Sequence, residues 1–411
     1  QSIALNLRSA DGMAHLERLL GQAQVMVENF RPGVLEKMGL NPQRLQALNP
    51  RLVVIRISGY GQTGALAHKP GFGSLVEGLS GFAAMNGFSD REPVLPPFAM
   101  ADSVCGLYGA SLAMAWVHHQ QQAETPSLKT IDLSLFEPLF GLLGPHAAEY
   151  HLTGQVPQRS GSRSPTHAPR NVYQSRDGKW FALSAGMAGT LQRLFEALDL
   201  PDALSDPRFA THEARLRHVQ ALDELLQSRF QTRDLDELMD LCDACDVTAG
   251  PILTIADLMQ HPQVTSRELL VDVDSPQGVR IPVHGVPHQV NGVRPPIRAS
   301  APKLGEHNAR WAFPRSTTPP PLDPRLGHAP IPIATIALLF VCACRQRSFV
   351  RKRLDQTTRR HHLGFGRRHP PPTQTGCQSG FGRAIGACRQ PAHRHGRSHQ
   401  HVVVGCRPRF E

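Results

Sequence analysis

Two patterns of apolar positions alternate along the first 150 residues of the chain. Short β-branched runs predict strands, and the clearest is 52–57, which lies between Asn49-Pro50 and Gly59. Apolar residues at helical spacing predict the helices between them. Strands are expected at 2–7, 24–28, 52–57 and 129–133, and helices at 12–20, 34–38, 41–48, 71–85, 102–118 and 135–150. This alternation predicts an α/β fold with a Rossmann-like, largely parallel sheet, whose first strand is expected to be absent from this sequence.

A smaller α+β domain is predicted after residue 170. Asp177-Gly178 separates two short apolar runs and suits a hairpin turn that needs positive φ. Helices are expected at 188–198, 219–230 and 235–244, a capping box at 254–257, and a second hairpin at 269–283. The expected organisation is a large domain at 1–151, a linker at 152–170, the small domain at 171–290, a linker back to the large domain at 291–308, and a tail at 309–411.

Composition separates the tail from the body. Residues 309–411 hold 18 of the 44 Lys and Arg but only 3 of the 34 Asp and Glu. The formal net charge of +10 therefore belongs to the tail, and the body is mildly acidic. Arg, His, Pro, Gly and Cys crowd the tail without periodicity, so it is predicted to be a disordered, low-complexity basic segment that does not pack. An out-of-frame origin is expected for it, and a natural disordered tail is the alternative.

The cysteines favour a reducing compartment. Three of the eight lie in the body, at Cys105, Cys242 and Cys245, and three scattered cysteines do not form a disulfide framework. The chain does not open with a signal-peptide pattern, and no body segment has the length of a membrane span. A cytoplasmic protein is therefore expected.

One carboxylate in the body is a candidate for chemistry. Asp102 follows a loop with three prolines and opens a run of small and apolar residues that predicts a helix to about residue 118. Aspartate is favoured at an N-cap, because its oxygens accept the unpaired N–H groups of the first turn. A carboxylate at a helix start can also act as a nucleophile. The residue by itself leaves both roles open, and the cap is the simpler one.

Four segments occur in an order that resembles the family III CoA-transferases, the group that contains formyl-CoA and carnitine CoA-transferases. They are residues 2–8, residues 28–35 with Asn29-Phe30-Arg31-Pro32-Gly33, residues 97–110 around Asp102, and residues 301–307. The Asn-Phe-Arg-Pro-Gly segment with an Asp at the right spacing is specific, and the resemblance covers about residues 1–308.

The resemblance implies that Asp102 is the nucleophile. It would attack an acyl-CoA thioester and pass through an aspartyl anhydride and an aspartyl-CoA thioester before an acceptor acid takes the CoA. Backbone amides in the glycine-rich loop at 71–73 are candidates for stabilising the oxyanion. The CoA contacts that carry over are Leu5, Asn6, Leu7, Arg8, Asn29, Phe30, Arg31 and, more loosely, Lys37. Phe30 would lie against adenine and the cations would meet phosphates; alternatively, Phe30 is core and the cations are solvated surface.

The resemblance also sets expectations for partners. It implies a CoA-binding domain at 1–151, CoA as a substrate without any permanently bound cofactor, and no metal. The partners would be an acyl-CoA and a small carboxylic acid, with an interlocked homodimer, no nucleic acid and no membrane. Family members begin with an earlier strand and a loop that supplies a catalytic glutamine, and they end with a helix that closes the large domain. Neither occurs in this sequence, so an N-terminally truncated, inactive fragment is one expectation.

Other classes compete with this interpretation. An α-methylacyl-CoA racemase shares the fold and the aspartate, but Phe72 stands where its histidine would be, and its glutamate falls near Met187. Racemisation then lacks its acid/base pair. A nucleic-acid-binding protein would use the basic tail, whose aromatic residues are too sparse for stacking on bases. The Cys-x-x-Cys at 242–245 has no second ligand pair, so zinc is not favoured.

Overall fold

The computed structural model describes residues 1–275, 277–297 and 299–311, together with two strands of the tail. The helices are α1 (Ala10–Leu20), α2 (Val34–Lys37), α3 (Pro42–Leu48), α4 (Gly73–Leu79), α5 (Phe82–Met85), α6 (Met100–Gln122), α7 (Phe136–Gly141), α8 (His146–Thr153), α9 (Ala188–Ala197), α10 (His212–Arg217), α11 (Val219–Phe230), α12 (Leu235–Ala244), α13 (Ile255–Leu258) and α14 (Pro262–Ser266). The strands are β1 (Val25–Glu28), β2 (Val53–Ser58), β3 (Lys129–Ser134), β4 (Arg170–Gln174), β5 (Trp180–Ser184), β6 (Thr248–Pro251), β7 (Leu270–Asp274), β8 (Arg280–His284), β9 (Ala337–Val341) and β10 (Val403–Cys406).

A parallel sheet organises the first part of the chain. β1 pairs with β2 and β2 with β3, all in parallel, with Glu28 opposite Arg56 and Ser58 opposite Ser134. The apolar side chains of β1 and β2 alternate between two buried clusters, one on each side of the sheet. This arrangement confirms the predicted α/β fold. It also brings the carboxyl ends of the three strands to one edge, where ligands bind in open α/β sheets.

The tail contributes to this sheet, contrary to the prediction that it does not pack. β9 pairs in parallel with the free edge of β1, and β10 pairs in antiparallel fashion with β9. The backbone groups along an edge strand are open to pairing with any extended segment, and β9 comes from the apolar island of the tail. The remainder of the tail, with its predicted disorder and out-of-frame origin, lies outside the described residues.

Residues 2–7 form no strand, so that prediction is wrong. Their backbone pairs with the segment before the tail, and side chains complete the pairing. The Ser2 N–H donates to Nδ1 of His307 at 3.0 Å, and the His307 N–H returns a bond to the Ser2 carbonyl at 3.0 Å. The Asn308 side chain bonds both backbone groups of Ala4. These bonds join two regions that are about 300 residues apart in sequence. No local sequence pattern predicts such a contact.

Helix α6 approaches the sheet through small side chains. A stripe of residues at four-residue spacing is buried against β2 and β3: Ala101, Cys105, Gly109, Ala113 and Val117. The opposite face of α6 is also apolar but exposed, with Leu107 72% and Met114 53% accessible. The next predicted helix, 135–150, is two helices, because Gly144 takes a positive φ of 69° and Pro145 follows it.

The predicted α+β elements after residue 170 are present. β4 and β5 form the first hairpin, β7 and β8 form the second, and Thr254 with Asp257 forms the capping box of α13. Three elements of this region were not predicted from the sequence: the short helices α10 and α14, and the strand β6, which pairs with β5. The rings of Tyr173, Phe181 and Phe230 pack together in the core between sheet and helices.

Candidate active site

The glycine-rich loop and Asp102 are in direct contact. A β-carbon placed on Gly73 would lie 2.4 Å from Oδ2 of Asp102 and 3.5 Å from its Cγ. A larger residue at position 73, where α4 begins, would therefore force the Asp102 carboxylate to move. Asp102 itself is solvent-exposed, so the structure presents a carboxylate that a ligand can reach and that rests against a bare backbone.

A pair of glycines, Gly59 and Gly71, connects this contact to the sheet. Gly59 directly follows β2, and a β-carbon on it would lie 2.6 Å from the Cα of Gly71. A β-carbon on Gly71 would likewise lie 2.7 Å from the Cα of Gly59. The loop at 71–73 is thus held against the carboxyl end of β2, which places Asp102 at the ligand-binding edge of the sheet.

Asp102 is not the N-cap of its helix, so the cap interpretation is wrong. The N-cap is Ala99, which has no side-chain acceptor, and α6 starts at Met100. Asp102 lies in the first turn, where the positive end of the helix dipole favours a carboxylate. The acceptor for the first turn comes from another helix: Oε1 of Glu77 in α4 accepts the Ala101 N–H at 3.2 Å. Sequence reasoning missed Glu77, although a lone carboxylate in a run of small and apolar residues was a signal for it.

The thiol one turn beyond Asp102 does not compete as a nucleophile. Cys105 is 1% exposed, and burial, together with the negative charge of Asp102, raises its pKa to about 11. At neutral pH the group is therefore a protonated thiol packed against the sheet. Reactive cysteines require the opposite combination, an accessible sulfur with a lowered pKa.

A buried ion-pair network fixes the start of the Asn29–Arg31 segment. Glu28 ends β1, and its two oxygens accept bonds from Nε of Arg56 at 2.7 Å and from the Phe30 N–H at 2.8 Å. Arg56 also binds Glu36 at 2.7 Å. Burial is the largest influence on Glu28 and raises the pKa of its carboxyl, whereas the bond to Arg56 lowers the pKa of Glu36. The network holds the loop after β1 at the same sheet edge as Gly59.

The predicted CoA contacts divide into exposed polar residues and buried apolar ones. The side chains that a ligand can reach are those of Asn6, Arg8, Asn29, Arg31 and Lys37. Leu7 and Phe30 are buried in the core between α1, α3 and the sheet, and Leu5 packs against the same cluster. Phe30 is 4% exposed, so its ring is not free to lie against adenine, and the core alternative is the one that the structure shows.

The two predicted CoA segments hold different positions. Asn29 and Arg31 follow β1 and lie at the sheet edge that also carries Asp102. Residues 5–8 lead into α1, where Ser9 is the N-cap and Oδ1 of Asn6 accepts the Arg8 N–H at 3.1 Å. Helix N-termini favour anions, which suits a phosphate ligand near Arg8. Within the described part of the chain, no ion pair occupies Arg8, Arg31 or Lys37.

The positions that would distinguish a racemase carry apolar side chains. Phe72 immediately precedes Gly73 and is 69% exposed beside the Asp102 contact, and Met187 is 73% exposed. Neither can move a proton. Among residues 1–311, excluding 276 and 298, no group of three His, Cys, Asp or Glu side chains is arranged to hold a metal ion. Cys242 is buried and Cys245 half-buried, and four of the five tail cysteines lie outside the described residues.

Known proteins provide an independent comparison. Residues 1–308 match the protein family described as CoA-transferase family III. The chain is 35% identical to the succinyl-CoA–D-citramalate CoA-transferase of Chloroflexus aurantiacus over 308 residues, covering 75% of this chain and 76% of that protein. It is 33% identical to the succinate–glutarate CoA-transferase of Agrobacterium fabrum, with 75% and 77% covered.

A solved structure supports the same relationship. The crystal structure of a CAIB/BAIF family protein from Brucella suis superposes with a TM-score of 0.66 at 32% identity, covering 75% of this chain and 80% of that one. In the part of the chain that is described, no helix is both long and apolar enough to cross a membrane.

Proposed function

Because the chain belongs to CoA-transferase family III, we propose that it moves CoA from an acyl-CoA to a carboxylic acid with Asp102 as the nucleophile. The observation that carries this proposal is the contact between Gly73 and Asp102, which sets an exposed carboxylate against an unobstructed backbone. A second observation supports it: Glu77 accepts an N–H group in the first turn of α6, so Asp102 is not needed to cap that helix.

The exchange proceeds by four acyl transfers at Asp102. An Asp102 oxygen attacks the thioester carbonyl of the donor, the CoA thiolate leaves, and a mixed anhydride forms. The thiolate then attacks the Asp102 carbonyl and releases the donor acid, which leaves an aspartyl-CoA thioester. A carboxylate oxygen of the acceptor displaces the thiolate to form a second anhydride. Attack of the thiolate on the acceptor carbonyl produces the new acyl-CoA and restores Asp102.

This chemistry suits the groups around Asp102. Each attacking group is already an anion, so no proton has to be removed by a general base. Each attack creates an oxyanion, for which the backbone N–H groups of the loop at 71–73 are the nearest candidates. The CoA thiolate that leaves in one step is the attacking group of the next, so CoA must stay bound between steps. The exposed Asn6, Arg8, Asn29, Arg31 and Lys37 are the side chains that we assign to holding it.

The substrates that we propose are dicarboxylic. The similar proteins from Chloroflexus and Agrobacterium are named for succinate or succinyl-CoA paired with citramalate, malate or glutarate, and one from Acetobacter aceti is named for acetyl-CoA and oxalate. Succinyl-CoA is therefore the donor to test first, with these four dicarboxylates as acceptors.

We also propose that the active form is an interlocked homodimer. The free face of α6 and the segment around α8 expose large apolar side chains: Leu107, Met114, Phe140, Leu152 and Val156. Helices that are apolar all round are normally covered. Light scattering of the purified chain tests this point, since a monomer at micromolar concentration would contradict it.

Trapping the acyl-enzyme tests the nucleophile directly. Incubation with succinyl-CoA, followed by hydroxylamine, should convert Asp102 into its hydroxamate, which peptide mass spectrometry detects. Asp102→Asn should bind CoA normally but show neither adduct nor transfer. An unmodified Asp102 in wild-type protein that binds CoA would overturn the proposal.

A further inference from the structure

Glu77 is a buried carboxylate that the transfer chemistry does not use. It lies in the middle of α4, where only 2% of the residue is exposed. Its Oε1 accepts the N–H of Ala101 at 3.2 Å, across 24 positions of sequence. Burying an ionised carboxylate is costly unless strong partners meet it. The first turn of α6, a helix of 23 residues, supplies both an unpaired N–H and the positive end of a helix dipole.

The spacing of Gly73 and Glu77 in α4 connects this hydrogen bond to the nucleophile. Gly73 and Glu77 are four residues apart, so they lie on one face of the helix. Gly73 meets the side chain of Asp102, and Glu77 meets the backbone of the preceding residue, Ala101. One face of α4 therefore contacts two successive residues of α6, one of which is the nucleophile.

We propose that Glu77 is a positioning residue for Asp102, an inference that rests on the proposed function. Ala99 has no side-chain acceptor, so the first turn of α6 has no cap of its own. Glu77 supplies an acceptor to the Ala101 N–H and thereby ties this turn to α4. The bond fixes the backbone that carries Asp102, and its carboxylate stays against Gly73 and turned toward the substrate.

This role makes the hydrogen-bond acceptor at position 77 essential, and its exact reach matters more than its charge. Glu77→Gln keeps a side-chain oxygen at the same distance from the backbone. Glu77→Asp keeps the charge but is one methylene too short to reach the Ala101 N–H. Glu77→Ala removes the acceptor altogether. Val76→Ala is the matched control, because Val76 is a fully buried residue of the same helix whose truncation destabilises the core without touching the cap.

The measurement is the rate at which succinyl-CoA modifies Asp102 in a single turnover of the full chain, followed by mass spectrometry. Glu77→Ala and Glu77→Asp should slow this rate about fivefold or more, the factor that corresponds to one lost cap. The Kd for CoA should stay unchanged in both. Glu77→Gln should remain within about twofold of wild type. Val76→Ala should lose stability and keep the rate.

Three results would overturn the inference. They are a wild-type rate in Glu77→Ala or Glu77→Asp, a rate in Glu77→Gln as low as in Glu77→Asp, and an equal slowing in Val76→Ala. If Glu77→Ala does not fold, the inference is tested by the rates of the other two variants, since Asp102 should be modified faster in Glu77→Gln than in Glu77→Asp. Hydrogen exchange of peptides spanning 99–108 provides a readout that needs no turnover. Unchanged protection there in Glu77→Asp contradicts the cap itself, whereas absence of the adduct in wild-type protein contradicts the proposed function.

Discussion

Gly73 and Asp102 touch across the start of two helices: a β-carbon on Gly73 would lie 2.4 Å from Oδ2 of Asp102, so a methyl group there would require the carboxylate to move. Helix α4 therefore begins with a residue whose missing side chain makes room for a carboxylate. The position of the Asp102 carboxylate therefore depends on Gly73, 29 residues earlier in the sequence. Substitutions of Gly73 are expected to change the rate of the reaction at Asp102.

Gly73→Ala should slow adduct formation at Asp102, and with it transfer, by about 100-fold, because the new methyl group displaces the attacking carboxylate by roughly one ångström. Gly78→Ala is the control, since Gly78 lies in the same helix with nothing within 4 Å of its added β-carbon. That variant should be as active as wild type and slightly more stable. Equal activity in both variants, measured with succinyl-CoA and glutarate, would show that the contact has no role.

Arg56→Ala should destabilise the protein by about 3–5 kcal/mol, because it leaves the buried Glu28 without its cation. Glu36→Gln removes the exposed end of the same network and should cost less than about 1 kcal/mol. Urea unfolding measures both. Similar losses of unfolding free energy in the two variants would contradict the argument that the cost comes from leaving the buried Glu28 without its cation.

The pH dependence of the Arg56→Ala variant follows from Glu28. Burial already raises the pKa of this carboxyl above its usual 4.5 when Arg56 is present, and removal of the cation raises it further. The folded state then binds a proton that the unfolded state has released, so stability falls as pH rises through that interval. The variant should therefore recover part of its loss between pH 7 and pH 5. A loss that is constant over this range would contradict the assignment.

Arg31→Gln should weaken CoA binding about threefold to tenfold, since it removes the exposed guanidinium that we assign to a CoA phosphate. Its salt dependence should also become shallower, because one charge fewer is screened. Arg229→Gln, an exposed arginine on α11, should change neither quantity. Isothermal titration with CoA at two ionic strengths separates the two variants, and an Arg31 variant that binds like the Arg229 variant would remove Arg31 from the site.

Cys105 and Cys242 should resist alkylation in the native protein far above the pH at which ordinary thiols react. Burial is the main cause that raises the pKa of each to about 11. Peptide-resolved labelling with iodoacetamide should increase up to pH 9 and then level off in urea, but should remain slow and still be increasing at pH 10 in native protein. Because the unfolded thiols ionise first, both groups should also reduce stability as pH rises from 9 to 11. Native labelling at the urea rate would refute the burial argument.

The elements of this fold could be predicted from local pattern to within a few residues. β2 is a β-branched run between turn residues, α3 follows an Asn-Pro start, and the first hairpin turns at Asp177-Gly178. The pattern failed where the decisive partner is distant. Residues 2–7 looked like a strand but bond to the segment around His307, and α10 and β6 carry too few apolar positions to be recognised.

The features of the candidate site fall into the same two groups, those predicted from local pattern and those set by distant contacts. The family, the nucleophile candidate and the α/β architecture could be predicted from the residues alone, because these depend on residue types at fixed spacings. Three features depend instead on how distant segments pack: the group that caps α6, the burial of Phe30 in the core, and the pairing of β9 with the edge of β1. A helix N-terminus accepts an oxygen from any chain segment that reaches it, and an apolar ring is buried wherever packing leaves room. The spacing that marks Asp102 therefore cannot show that Glu77 caps its helix, since that depends on the packing of α4 against α6.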